Sequence, residues 1–152
     1  MDLATLKLKV HQKCSNLAQT KIEDLKSELE SLQEASNAEI KSSVGDKYET
    51  GRSMIMLEKE KFVVQLQDAY KLKKALDLID LGKSVDKVSL GALVKESNNF
   101  YYFSANFGVL KIADVKVFAI STLSPLGQVM LNKIPGNSYT FQGTQYLIEK
   151  VL

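Results

Sequence analysis

Two carboxylates stand three residues apart in Gly45-Asp46-Lys47-Tyr48-Glu49, beside the only cluster of chain-breaking residues in the first half of the sequence, Ser42-Ser43-Val44-Gly45-Asp46. At the start of a helix this spacing lets both acids point the same way. The same spacing makes a capping box, with Asp46 as N-cap and Glu49 returning a bond to its backbone. The two roles are compatible. What lifts the pair above a plain cap is its position: acids at the end of a rod are placed to enter a narrow site.

Other chemistry finds little support. His11 and Cys14 stand three apart but are the only histidine and cysteine in the chain, and a zinc site normally needs three or four protein ligands. A Ser-His-Asp triad is equally unsupported, because the lone imidazole lies far in sequence from the aromatic second half. The glycines are scattered, and none forms a phosphate-cradling loop. An independent small-molecule enzyme is not expected. Lys71, Lys73 and Lys74, with Lys47 and Arg52, are basic enough to touch phosphates, but intervening acids make them a solvated helix face.

The elements that must position the acid pair differ between the two halves. Before residue 82 there are two glycines and no proline; from residue 82 onward come six glycines, both prolines and nine of the twelve aromatic residues. Such a shift marks a boundary between a helical part, 1–81, and a sheet part, 82–152. In the first part Leu3, Leu6, Val10, Cys14 and Leu17 recur at alternating spacings of three and four. Leu25, Leu29 and Leu32 continue the stripe past a polar lapse at Lys21. A second stripe runs through Phe62, Leu66, Ala69 and Leu76, interrupted by Lys73. Such stripes belong to coiled coils. They predict an antiparallel helical hairpin with its tip at 42–49 and arms roughly 55 Å long at 1.5 Å per residue. Met54-Ile55-Met56-Leu57 is expected mostly to pack between the helices near the bend, although four successive residues cannot all face one partner.

In the second part Val88–Lys95, Phe100–Ala105 and Val115–Ile120 are rich in β-branched and aromatic residues and predict strands. Ser124-Pro125 has the N-cap and first-turn chemistry of a helix start, so a short helix is expected over Leu126–Leu131. Ser138–Gln142 and Gln145–Val151 predict a final hairpin around Gly143-Thr144. The class is α+β, a helical hairpin followed by an antiparallel sheet domain carrying one short helix. The sheet domain is expected to anchor and the hairpin to probe.

A formal charge of +2 does not drive non-specific binding to nucleic acid or anionic lipid. One cysteine allows no internal disulfide and suits a reducing compartment. Met1–Val10 lacks a signal-peptide core, and no stretch approaches the roughly 20 apolar residues of a membrane span. A soluble cytoplasmic protein without membrane contact is expected.

Taken with the hairpin and sheet, the segment Gly45-Asp46-Lys47-Tyr48-Glu49-Thr50 resembles the tip of the Gre transcript-cleavage factors, which typically reads G-D-L-S-E-N. A second patch is similar to that family's I-S-x-x-S-P-L-g-x-A-L-l-G-K-x-x-G-D. It runs Ile120-Ser121-Thr122-Leu123-Ser124-Pro125-Leu126-Gly127, then Met130-Leu131-Asn132-Lys133 and Gly136-Asn137. Thr50 stands where the family has asparagine, and Arg52-Ser53 replaces the nearby aromatic. The V-G-x-x-E-A-D segment has no counterpart around Phe107–Asp114, and the T-x-x-G opening is absent.

The resemblance implies an FKBP-like sheet domain and docking of a monomer at the secondary channel of RNA polymerase, with nascent RNA and DNA met only through the elongation complex. It implies that Asp46 and Glu49 are the catalytic residues, helping to hold a Mg²⁺ shared with the polymerase active site. The chain would then be no enzyme itself but a cofactor that stimulates cleavage of backtracked RNA. Two rivals are a Gre-like polymerase regulator without cleavage activity, to which the departures point, and a coiled-coil, FKBP-like chaperone. The polar, acidic tip disfavours the chaperone, since client capture favours exposed apolar surface.

Overall fold

The computed structural model describes the backbone of residues 1–42 and 46–152 and the side chains of residues 1–38 and 50–152. Two long helices open the chain, α1 (Leu3–Ser42) and α2 (Asp46–Asp77). Seven strands and one short helix follow: β1 (Leu93–Glu96), β2 (Asn99–Phe103), β3 (Gly108–Ile112), β4 (Val115–Ile120), α3 (Pro125–Met130), β5 (Ser138–Phe141), β6 (Thr144–Leu147) and β7 (Lys150–Val151). The expected α+β class holds: two helices, then a mostly antiparallel sheet with one short helix. The chain forms two compact units, Ala18–Lys74 on one side and Met1–Leu17 with Ala75–Leu152 on the other.

The Ala18–Lys74 unit is a helix pair held by a thin seam. Ile22, Leu25 and Ala69 are buried, with Phe62 and Leu66 packed against them. Lys26 stands 5.5 Å from the centre of the Tyr70 ring, and Lys59 Nζ donates to Gln33 Oε1. Partners on α2 fall in number as those on α1 rise, so the helices are antiparallel. The seam departs from the expected stripe. It runs through Ala18 and Ile22 rather than through Leu17 and Lys21, so Lys21 is simply exposed and interrupts nothing. Steps of four from Cys14 to Ala18 to Ile22 keep one helix face turned inward, and the small Ala18 fits there as well as a leucine. Met54, Met56 and Leu57 are 64%, 51% and 66% exposed, so the apolar run after the bend is mostly surface. Ile55, Lys59, Phe62 and Leu66 share the inward stripe at spacings of four, three and four, which leaves the neighbours of Ile55 facing outward.

In the other unit a five-stranded sheet has the order β3-β4-β2-β1-β7, beside a two-stranded sheet of β5 and β6. All pairings are antiparallel except β2 with β4, which run parallel with Phe100 opposite Val117 and Phe103 opposite Ile120. The parallel pair exists because β3, which is not among the strands expected above, turns back on β4 in a hairpin. Gln142 and Gly143 take φ of +51° and +80° in the β5–β6 turn, the left-handed pair of a two-residue hairpin. The predicted first strand begins late. Val88 is buried, but its N–H donates to Lys133 O at 2.8 Å and its carbonyl accepts from Asn132 N at 2.8 Å. It therefore ties down the loop after α3 instead of joining a ladder. Val88, Ala92, Val94, Phe103, Met130, Tyr139 and Ile148 form the core; each large apolar side chain buried there stabilises by about 1.5–3 kcal/mol.

The start of α1 belongs to this same unit. Val10 and Cys14 are fully buried. His11 Nδ1 shares a 2.7 Å hydrogen bond with the hydroxyl of Tyr102, and Ser104 Oγ donates to Cys14 Sγ at 3.5 Å. Lys13 Nζ donates to Lys111 O at 3.2 Å.

Candidate functional site

A helix pair can carry a site at its bend because hydrogen bonds along each helix and the seam between them replace a thick core. Here α1 runs to Ser42 and α2 begins at Asp46. Asp46 and Glu49 are thus the first and fourth residues of α2, in the turn where unpaired backbone N–H groups and the helix dipole favour negative charge. The side chains of both acids, and residues 43–45, lie outside the described residues. Within Ala18–Lys74 the helix α1 covers 25 residues before it ends, or about 37 Å of rise.

The second family-like patch is described throughout, and its geometry accounts for its residues. Ser124 is the N-cap of α3 with φ −67° and ψ 156°, and Pro125 follows at the first helical position, where a missing N–H costs nothing. Ser124 Oγ accepts from Gly127 N at 3.1 Å and donates to Ser121 O at 2.7 Å. Ser121 Oγ in turn accepts from Leu123 N at 3.1 Å, and Asn106 Oδ1 accepts from Ser121 N at 3.1 Å. Gly127 is required by space: a Cβ there would lie 2.0 Å from Ser121 O. The interlocked turn leaves Leu123 80% exposed.

The other candidates have structural work. His11 and Cys14 are engaged with Tyr102 and Ser104 rather than with each other, and no group of three potential metal ligands occurs among the described residues. Burial pushes the Cys14 thiol above its usual range, with the Ser104 bond opposing, so it is a poor nucleophile. Burial likewise raises Tyr102.

Two buried ionisable residues escaped sequence reasoning. Glu96, 3% exposed on β1, accepts a short hydrogen bond from the hydroxyl of Tyr139. Desolvation raises its pKa; the Tyr139 bond works against the shift, and Glu149 adds to it. Tyr139 is raised as well, by burial and then by Glu96, and its ring stacks on Tyr146 at 5.3 Å. Lys7 on α1 is the other, 4% exposed. Its position directly after the stripe residue Leu6, and four before His11, was the only available sign of burial.

No protein-family model matches the chain, and no curated protein matches it. Among solved structures the chain is similar to one described as the structure of the transcription factor Gfh1, at 14% identity, covering 90% of this chain and 92% of that one, with a TM-score of 0.37. At such a score no residue role passes from one protein to the other.

Proposed function

We propose that this protein is a Gre-type transcription factor that binds RNA polymerase and stimulates cleavage of backtracked RNA. The observation that carries the proposal is that Asp46 and Glu49 fall in the first turn of the second of two long helices, in a sequence that reads Gly45-Asp46-Lys47-Tyr48-Glu49. The antiparallel pairing of those helices and the rigid Ser121–Gly127 turn support it, the first as a probe and the second as part of an anchor. Asp46 and Glu49 are the residues that act. Two carboxylates fit Mg²⁺, which takes few protein acids and keeps several waters, and are too few to hold it tightly alone. When held between these acids and the polymerase, the cation would position and polarise the groups of phosphodiester hydrolysis. Asp46 and Glu49 contribute negative charge at the start of α2, and the remaining chain positions them. The protein is a cofactor of a cytoplasmic polymerase, not an enzyme in itself. None of the described helices is long and apolar enough to cross a membrane.

Thr50 and Arg52-Ser53, in place of the family's asparagine and aromatic, favour a second function: occupancy of the channel without cleavage. One assay separates the two. On a stalled, backtracked elongation complex the parent should accelerate RNA cleavage, while Asp46→Asn and Glu49→Gln each lose that effect and still compete for polymerase. Both amides can serve as caps, so a purely structural role expects no change. Full activity in both variants would sink the metal-holding role, and an inactive parent that still binds would establish the regulator.

A further inference from the structure

Beside the start of α1 lies a cleft of about 390 Å³ whose walls include Lys7, Leu78, Ile79, Asp80, Lys83 and Leu90. The volume falls within the lower part of the range of small-molecule sites. A lysine only 4% exposed is uncommon unless an acid pairs with it. Among the described residues no hydrogen bond or ion pair ends on Lys7 Nζ. Asp80 acts on Lys7 only at longer range, and its Oδ1 is engaged by Gly82 N at 3.0 Å. No described side-chain nitrogen or oxygen is both sealed off and unpaired. Lys7 lines the cleft, and its ammonium, without a partner, is not sealed from solvent. Burial lowers its affinity for a proton, and Asp80 offsets this only in part, so an incoming anion meets a charge that water serves poorly.

Apart from Asp80 and Lys83 the cleft is apolar and partly bare. Leu78 is 75% exposed and Leu90 42%. Gly91, at φ +85°, lets the backbone lie against Ile79, because a Cβ there would come within 2.8 Å of Ile79 Cγ2. Lys7 and Lys83 carry two positive charges against the one negative charge of Asp80, so a single anionic group balances the site. A phosphate dianion would overshoot and would lose more hydration against apolar walls.

We propose that this cleft binds a free aliphatic monocarboxylate, its carboxylate on Lys7 and Lys83 and its alkyl chain along Leu78, Leu90 and Ile79. The site is independent of the acids at the helix bend and of the polymerase-binding role.

The test is a titration of the full-length ¹⁵N-labelled protein with octanoate, followed by amide chemical shifts, with octan-1-ol and octylammonium as matched probes. Octanoate should give saturable shifts centred on Ile79, Lys83 and Gly91. Octanol should bind about tenfold more weakly and octylammonium not at all, because a charge-assisted bond is roughly twice as strong as a neutral one. Lys7→Met should weaken octanoate binding about tenfold while leaving octanol binding unchanged. Should Lys7→Met fail to fold, as its own spectrum would reveal, Lys83→Met supplies the same comparison. Equal binding of octanoate and octanol, undiminished octanoate binding in the lysine variant, or no saturable shift by roughly 10 mM would overturn the proposal.

Discussion

Gly127→Ala tests whether the Ser121–Gly127 turn is as tightly locked as its geometry states. In an ordinary helix the change would stabilise by about 1 kcal/mol. Here the new Cβ would stand 2.0 Å from Ser121 O, a full 1 Å inside the 3.0 Å that real Cβ atoms keep. The obstacle is backbone, so no side chain can swing aside. Moving Ser121 O away breaks the 2.7 Å bond from Ser124 Oγ and loosens the cap that Ser124 makes to Gly127 N. A lost cap costs about 1 kcal/mol, a lost hydrogen bond about 1, and overpacking about 1–3. Set against the propensity gain, the net loss is roughly 2–4 kcal/mol. For a unit under 100 residues each kcal/mol shifts Tm by about 4–8 °C, which gives a fall of roughly 8–30 °C. Thermal unfolding followed by near-ultraviolet circular dichroism reads the packing of the aromatic-rich unit. A variant melting within a few degrees of the parent would refute the locked turn.

Two further expectations follow from buried polar contacts. Glu96 has its pKa raised by burial, so the native state keeps its proton to higher pH than the unfolded chain does. Stability should therefore fall as pH rises from about 4.3, the ordinary glutamate value, through the raised native pKa. Glu96→Gln, which can still accept from Tyr139, should flatten that slope in urea unfolding measured across the window; an unchanged slope would exclude Glu96 as its source. His11→Ala strips a partner from the fully buried Tyr102 hydroxyl and should cost about 1–3 kcal/mol. Adding Tyr102→Phe should recover part of that loss, and a single variant as stable as the parent would show that the bond contributes nothing.

The features legible in the sequence were those set by local rules. Ser124-Pro125 marked the start of α3 because capping and the proline ring act within one turn, and Gly143 marked the last hairpin because its conformation demands glycine. The helix pair was legible from its spacing, although ranking residues by size chose Leu17 where the helix angle buries Ala18. Strand boundaries failed wherever the partner lies far along the chain. Ile148 looks like the middle of a strand, yet its N–H and carbonyl bond to Asn137 O and Gly136 N, which divides β6 from β7 and sends β7 to β1. Gly108–Ile112 did carry a signal, alternation through Leu110 and Ile112 before a turn at Ala113-Asp114, but its glycine start and exposed Val109 masked it. The acid pair could be proposed from sequence because both members sit in one pentapeptide. Lys7 and Glu96 were not, since what makes each unusual is the burial that residues about 70 and 40 positions away impose.

The first seventeen residues fold with a partner that begins only at Ala75, so the chain must close over the 57 residues of Ala18–Lys74. An open loop of that length opposes closure through its entropy. The intervening helices are antiparallel, however, and once zipped they bring their own two ends together. By the logarithmic law for loops, shrinking the open stretch from the whole insertion to a few residues lowers the closure penalty by roughly 2 kcal/mol. Ile22, Leu25 and Ala69 would then act as a kinetic clasp, setting how fast a unit assembles to which none of them belongs.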